Sequence, residues 1–252
     1  MDQDTPRTPA GSPHHPDAAP LDDRPLDDGP RDDGPAKFRR LLREQRVWDT
    51  QLPDFDPATA PADPVVLFHT WFAEAVAAGQ TEPHTMGLAT ADASGRPDVR
   101  TVMLHDADEH GWHFATHTGS RKGSQLAERP EAALHFYWPA QARQIRVRGR
   151  VTAAPHAEAL ADLHARSTGA LAAALVGRQS EVLGSQDELK QASEAAWQHA
   201  QSHPTAEVAT WTLYVLSPDE LEFFQGDARR RHIRLTYSRT AEGSWQRGLL
   251  WP

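Results

Sequence analysis

Residues 85–117 read TMGLATADASGRPDVRTVMLHDADEHGWHFATH, and this stretch predicts three short β-strands. The predicted strands are 85–91, 99–106 and 112–117, and turns containing Gly, Pro or Asp separate them at the spacing of hairpins. Each strand is rich in β-branched or aromatic residues, which favour a pleated sheet. Outward from this stretch, the same composition predicts further strands at 131–139, 143–154, 207–216, 219–225, 230–239 and 244–250.

The strand predicted at 143–154 shows an alternating pattern. Ile145 and Val147 alternate with Arg146 and Arg148. Successive side chains of a strand point to opposite faces of the sheet, so this alternation indicates a half-exposed strand.

Fewer segments of the chain show the apolar spacing of a helix than show the pattern of a strand. Asp63 and Pro64 begin one helix, which Gly79 ends. The other helices are predicted at 36–48, within 118–130, at 155–167 and at 186–202. Many short strands with few helices predict a mainly β (α+β) fold, a barrel with flanking helices.

The amino-terminal residues differ in composition from the rest. The first 35 residues hold 8 of the 20 prolines, and nine Asp against three Arg give them a net charge of −6 out of −9 for the chain. Regular prolines forbid a helix, and little apolar surface is available to bury. We therefore predict that residues 1–36 are a disordered acidic tail and that residues 37–252 form the folded domain.

Composition excludes several classes of protein. The chain of 252 residues has no cysteine, which rules out disulfides, thiolate metal sites and cysteine nucleophiles. The net charge of −9 argues against a nucleic-acid partner. We find no long apolar run, no signal peptide and no compact metal-ligand motif. The expectation is a cytoplasmic protein with no membrane or nucleic-acid partner and no metal site.

Four basic or polar clusters suggest an anionic ligand. They are Arg100, residues 120–123 (SRKG), residues 178–181 (RQSE) and residues 229–234 (RRRHIR). The SRKG cluster precedes a predicted helix, where backbone N–H groups and two cations suit a phosphate. Each cluster alone is more typical of a solvated surface than of a ligand site.

Taken in order, these clusters resemble the pyridoxine/pyridoxamine 5′-phosphate oxidase family, including its phenazine-biosynthesis relatives. The resemblance runs from about Phe38 to Pro252 and rests on these motifs: Asp63-Pro64, residues 100–104 (RTVML), residues 111–122 (GWHFATHTGSRK), Arg143-Gln144, residues 178–180 (RQS), residues 222–226 (EFFQG) and Arg230-x-His232-x-Arg234. It implies an FMN-binding split β-barrel that forms a homodimer, with FMN at the subunit interface.

The resemblance also implies which residues contact FMN. The expected contacts are Arg100, Thr101, Val102, Met103, Leu104, Ala115, Thr116, Arg121, Lys122, Gln144, Gln179, Ser180, Phe224 and Arg234. The chemistry of these residues agrees, because the cations suit the phosphate and the neutral amides suit the ring and ribityl chain. Phe224 departs from the family, which usually has a tryptophan there and so an indole N–H donor.

On the substrate side, the resemblance implies that Arg230 and His232 are catalytic and flank the substrate ring together with Arg231. The family's Lys, Tyr, Arg and Ser that bind the substrate phosphate correspond here to His105, Asp162, Arg166 and Ala170. A carboxylate about 5 Å from a phosphate costs about 3 kcal/mol per unit charge at an effective dielectric of about 20. We therefore expect weak binding of pyridoxine 5′-phosphate.

Three functions remain open at this point. The first is an FMN-dependent oxidase that passes a hydride from a small aromatic or N-heterocyclic substrate to FMN and then to O2, giving H2O2, as in phenazine-type or other secondary metabolism. The second is a genuine pyridoxine/pyridoxamine 5′-phosphate oxidase that makes pyridoxal 5′-phosphate. The third is a non-catalytic flavin-binding barrel.

Overall fold

A computed structural model describes residues 34–46, 48 and 51–252. The chain divides into two units, Met1–Gln45 and Arg46–Pro252. In the first, helix α1 spans Gly34–Glu44, and all of its residues are exposed. Residues 34–36, which we assigned to the tail, are therefore helical, and the predicted domain boundary lies inside α1. The rest of the predicted disordered tail lies outside the described residues.

The second unit contains nine strands and five further α-helices among its described residues. The strands are β1 (Thr85–Ala91), β2 (Pro97–Met103), β3 (Asp106–Ala107), β4 (Trp112–His117), β5 (Glu131–Trp138), β6 (Arg143–Ala153), β7 (Trp211–Gln225), β8 (Ile233–Arg239) and β9 (Trp245–Leu249). The helices are α2 (Pro64–Ala77), α3 (Arg121–Glu128), α4 (His156–His164), α5 (Thr168–Val176) and α6 (Gln186–Ser202).

All nine strands belong to one antiparallel sheet. Its main path is β2-β1-β5-β6-β7-β4-β3. Strand β7 is long enough to pair with β4 through its first half and with β8 through its second half, and β9 extends the sheet from β8. The sheet therefore branches at β7, which joins the two parts of the barrel.

Helix α2 fills the concave side of the sheet. Asp63 caps it by accepting a hydrogen bond from Val65 N–H, as the sequence predicts. Phe68 and Trp71 are each 1 % exposed, and Trp71 packs edge-on against Phe223 with ring centroids 5.3 Å apart. Burying aromatic side chains of this size contributes about 2–3 kcal/mol each. Aromatic packing between α2 and β7 thus fixes the core.

Two predicted strands are one strand in the structure. We predicted separate strands at 207–216 and 219–225. Pro218 lies between them and cannot donate a ladder hydrogen bond. Instead β7 runs through this position, where Pro218 lies opposite Gly149 and the β6–β7 register shifts. A Cβ on Gly149 would lie 2.1 Å from the carbonyl oxygen of Ser217. Because Gly149 has no side chain, β6 leaves room for Pro218 on β7.

One helix was absent from the sequence interpretation. We predicted a helix over 155–167, but α4 ends at His164 and α5 begins after Ser167, whose Oγ accepts a hydrogen bond from Ala170 N–H. Helix α5 reads TGALAAALV and has little amphipathic pattern, which explains why periodicity missed it. No helix among the described residues has the length and apolarity needed to cross a membrane.

We expect Gly149→Ala to lower the free energy of unfolding by about 3 kcal/mol, because the added methyl group overlaps the backbone of β7. Urea unfolding followed by circular dichroism measures the change. Gly119→Ala is the matched control, since a Cβ there meets no atom within 4 Å. Equal stability of the two variants would contradict the close approach of β6 and β7.

Candidate functional site

The amino terminus of α3 forms the first part of the candidate site. Ser120 is completely buried, and its Oγ accepts a hydrogen bond from Gly123 N–H at 3.2 Å. A Cβ on Gly123 would lie 2.4–2.5 Å from the carbonyl oxygens of Thr118 and His117, so only glycine lets the helix approach the end of β4. This packing presents Arg121 and Lys122 in the first helical turn, as predicted.

Lys122 is a buried ammonium without a carboxylate partner. The residue is 9 % exposed, and its Nζ donates to Gln179 Oε1 at 2.9 Å. No carboxylate of a described residue lies within ion-pair distance of Nζ. Burial lowers the pKa of Lys122, and the charge of Arg100 lowers this pKa further. A buried cation of this kind fits a bound anion such as the FMN phosphate.

The loop after α5 joins this half of the site. Gln179 Oε1 also accepts from Thr116 Oγ1 at 2.9 Å, and Ser180 Oγ accepts from Arg121 N–H at 3.2 Å. Ser180 adopts a φ of 76°, which a non-glycine residue takes only where the surroundings hold it. The structure therefore brings the predicted residues of β4, α3 and this loop together.

Arg100 lies at the edge of the same region but is more constrained than expected. Its guanidinium donates to Thr90 Oγ1 at 2.6 Å and Gln125 Oε1 at 3.1 Å, and it forms an ion pair with Asp98 at 2.8 Å. Arg100 lowers the pKa of Asp98, so the pair is ionised on both sides. The positive charge of Arg100, which we expected to face a phosphate, is thus largely neutralised by Asp98 on the same strand. The remaining predicted contacts of this half lie on β2, β4 and the residue after β2: Thr101, Val102, Met103, Leu104 and Ala115.

Gln144, Phe224 and Arg234 form a second half-site. Gln144 lies directly opposite Phe224 across β6 and β7, and Phe224 lies opposite Arg234 across β7 and β8. These three residues line a cavity of about 270 Å³ together with Arg146, Glu222 and Pro252. Neutral amide, aromatic ring and guanidinium groups suit a heteroaromatic ring.

Arg100 and Gln144, one residue from each half-site, start from opposite faces of the sheet within one chain. Arg100 pairs with Leu88, which is fully buried, so its side chain starts from the core face at the sheet edge. Gln144 precedes the fully buried Ile145 on β6, so it starts from the outer face. These two predicted FMN contacts therefore start from different faces of the sheet in one chain.

The predicted catalytic residues lie in the turn between β7 and β8, beside the second half-site. His232 Nδ1 accepts a hydrogen bond from Asp227 N–H at 3.1 Å. A neutral imidazole whose Nδ1 is an acceptor carries its proton on Nε2. Arg230 adopts a φ of 64°, whereas Arg231 is exposed and donates to Asp227 Oδ2 at 3.3 Å. The three residues therefore have different environments, and Arg231 is turned toward Asp227.

Trp48 is a residue of this region that the sequence interpretation missed. Its ring meets the His232 ring edge-on, with centroids 4.8 Å apart, and Arg230 Cζ lies 5.3 Å from the indole centroid. Its indole N–H is buried without a hydrogen-bond partner among the described residues. A lone tryptophan before a proline-rich loop gave no sequence signal that could place it here.

Three of the four residues expected at the substrate-phosphate positions meet in the structure. Asp162 Oδ2 lies 2.8 Å from His105 Nδ1 and 3.3 Å from Arg166 Nε. Burial alone would raise the pKa of Asp162, but the hydrogen bonds and charges of these two partners lower it. Ala170 lies in the first turn of α5 and offers no side-chain donor. The only arginine of the cluster is thus already paired with a carboxylate.

No group of three or more His, Asp or Glu side chains in the described part of the chain is arranged to hold a metal ion.

Comparison with known proteins gives two family matches. Residues 72–200 match the model "Pyridoxamine 5′-phosphate oxidase", and residues 211–252 match "Pyridoxine 5′-phosphate oxidase C-terminal dimerisation region". Among curated proteins, the pyridoxine/pyridoxamine 5′-phosphate oxidase of Pseudomonas putida (strain GB-1) is 42 % identical over 77 % of this chain and 91 % of its own length. That of Acinetobacter baumannii (strain SDF) is also 42 % identical, over 76 % of this chain and 88 % of its own length.

Two solved structures confirm the predicted split barrel. PhzG from Burkholderia lata 383, in complex with tetrahydrophenazine-1-carboxylic acid, has a TM-score of 0.74 and 29 % identity, covering 81 % of this chain and 98 % of that one. An FMN-binding protein from Nostoc punctiforme, related to pyridoxamine 5′-phosphate oxidase, has a TM-score of 0.62 and 20 % identity, covering 73 % of this chain and 97 % of that one. The second supports the fold alone.

We expect the affinity for FMN to fall by about tenfold between about pH 7 and pH 10, because Lys122 loses its proton below the ordinary lysine pKa and a charge-assisted hydrogen bond is lost. Fluorescence titration of the apoprotein with FMN measures the dissociation constant. Lys122→Arg should remove the pH dependence, since a guanidinium stays charged. An equally steep dependence in Lys122→Arg would show that another group titrates.

Proposed function

Because the chain belongs to the pyridoxamine 5′-phosphate oxidase family, we propose that it is an FMN-dependent oxidase whose active site is completed by two copies of the chain. The match of residues 211–252 to a dimerisation region supports the pairing. So does the placement of Arg100 and Gln144 on opposite faces of the sheet of one chain, which two copies of the chain can bring toward one FMN. The position-by-position assignment of FMN contacts is part of this proposal.

Each half-site has a distinct role in binding FMN. Arg121 and the buried Lys122 hold the phosphate with their two side-chain cations. Gln144 and Phe224 of the other copy contact the ring, and Arg234 adds a positive charge there. When bound, FMN accepts a hydride from the substrate and returns the electrons to O2, giving H2O2.

The turn residues Arg230 and His232 orient the substrate beside the ring. Arg230 holds an anionic or electron-rich group of the substrate. The hydrogen bond from Asp227 N–H fixes the neutral His232 as the Nε2–H tautomer. In this form the Nε2–H of His232 donates a hydrogen bond to the substrate.

Our proposal about the substrate is based on the cluster of His105, Asp162 and Arg166. The half-buried carboxylate of Asp162 is already paired with Arg166, and it repels a phosphate dianion. A phosphate dianion would meet one cation, one anion and a histidine where the family supplies two cations. The cluster therefore favours a substrate without a phosphate, and we propose a small aromatic or N-heterocyclic molecule such as a reduced phenazine carboxylate. The structural similarity to PhzG, which was solved with a tetrahydrophenazine carboxylic acid, supports this choice.

Pyridoxine 5′-phosphate oxidation is the second candidate. The 42 % identity to curated pyridoxine/pyridoxamine 5′-phosphate oxidases, over 91 % of the length of one of them, favours it. The retained Arg166, Arg230 and His232 are compatible with that substrate. The altered positions 105, 162 and 170 argue against it.

Anaerobic reduction of the FMN-loaded protein separates the candidates. We expect a dihydro- or tetrahydrophenazine carboxylate to bleach the flavin absorbance, and admission of O2 to restore it with one H2O2 per turnover. Pyridoxine 5′-phosphate at micromolar concentration should bleach it far more slowly. Rapid bleaching by pyridoxine 5′-phosphate would support the second candidate, and no bleaching by either compound would contradict the oxidase proposal.

We expect the triple variant His105→Lys, Asp162→Tyr, Ala170→Ser to gain activity toward pyridoxine 5′-phosphate. Removing a repulsion of about 3 kcal/mol corresponds to about a hundredfold rise in kcat/KM. Steady-state H2O2 release measures it. Asp187→Tyr makes the same carboxylate exchange on the exposed surface of α6 and should change nothing. An unchanged kcat/KM in the triple variant would show that the cluster does not select the substrate.

A further inference from the structure

The cavity at the second half-site contains two charged residues to which the resemblance gives no role. Arg146 and Glu222 line this cavity of about 270 Å³ together with the expected FMN contacts Gln144, Phe224 and Arg234. Arg146 is two residues from Gln144 on the same strand, so both side chains start from the outer face. The wall of the cavity therefore carries two guanidinium groups rather than one.

Glu222 holds the two guanidinium groups together. Its side chain is only 6 % exposed, and its two oxygens accept from Arg234 Nε at 2.7 Å and Arg234 Nη2 at 3.0 Å. Arg146 Nη2 donates to the same carboxylate. Burial alone would raise the pKa of Glu222, but its hydrogen bonds to Arg234 and the charge of Arg146 lower it. The carboxylate is thus ionised, and the group has a net charge of +1.

Strand register fixes this arrangement, which does not depend on a loop. Arg146 lies directly opposite Glu222 across β6 and β7. The next arginine on this face, Arg148, pairs with Glu220 at 3.8 Å, and neither of these residues lines the cavity. Arg148 therefore provides the same residue type on the same face of the strand, outside the half-site.

We propose that Arg146 is a further flavin-binding cation and that Glu222 is the positioning residue that holds the guanidinium groups of Arg146 and Arg234 at the ring. The inference rests on the proposed FMN site. A fixed positive charge beside the ring stabilises the negative charge that the ring gains when it is reduced or when a nucleophile adds to it. Arg146 thus makes the bound flavin a stronger electrophile.

Sulfite binding tests the effect of this charge without any substrate. The sulfur lone pair of sulfite forms a bond to the flavin, the negative charge passes to the ring, and the visible absorbance disappears, with no further oxidant or reductant. We expect Arg146→Gln in the FMN-saturated protein to raise the sulfite dissociation constant by about tenfold, because one charge close to the ring is removed. Arg148→Gln loses the same charge farther away and should change this constant by less than about twofold.

A double-mutant cycle tests the role of Glu222. In the Glu222→Gln background, Arg146→Gln should change the sulfite constant by less than about twofold, because the guanidinium is no longer held beside the ring. A full tenfold effect in that background would overturn the positioning role of Glu222. If Glu222→Gln does not fold, comparison of Arg146→Gln with Arg148→Gln still decides the role of Arg146.

The outcomes separate this inference from the proposed function. A wild-type protein that binds no FMN overturns both. A yellow wild-type protein in which Arg146→Gln and Arg148→Gln have the same sulfite constant overturns only the role of Arg146. Size-exclusion chromatography of both variants verifies that they have the same oligomeric state, so that any difference reports on the ring environment.

Discussion

The pleat of β6 and β7 is the constraint on which the rest of the structure depends. Because successive side chains of a strand alternate, each residue of these strands belongs either to the aromatic core or to the outer face. Ile145 and Phe223 bury completely, while Gln144 and Phe224 lie opposite each other on the outer face. A slip of one residue would exchange the two sets and place charged groups in the core. The same register of β6 and β7 is therefore required both for the packing of the core and for the arrangement of the site.

Much of the fold was predictable from local sequence. The structure also brings the predicted residues of β4, α3 and the loop after α5 into contact. The strand at 112–117 and the helix at 186–202 have the predicted bounds, because alternating and helical patterns are strong there. The continuity of β7 through Pro218 was not predictable, since it depends on Gly149 from a distant strand. The location of Trp48 and the pairing of Arg100 with Asp98 were not predictable either. Contacts between segments far apart in sequence leave no periodic signal.

The family resemblance and the altered substrate cluster are compatible once the two parts of the site are considered separately. The FMN contacts that the resemblance implies keep the residue types of the family, apart from Phe224. The changes are concentrated at His105, Asp162 and Ala170, which lie on other elements than the second half-site. A chain can therefore stay close to its relatives in overall identity while its preference among substrates changes, because few positions contact the part of the substrate that differs.

The buried ammonium of Lys122 affects the stability of the protein before FMN binds. A buried cation with no carboxylate at ion-pair distance costs free energy. A ligand that binds only the folded state offsets this cost, and the offset grows with ligand concentration. The newly made chain is thus less resistant to unfolding and proteolysis than the loaded one. If Lys122 binds FMN as proposed, riboflavin supply contributes to how much of this protein survives after synthesis.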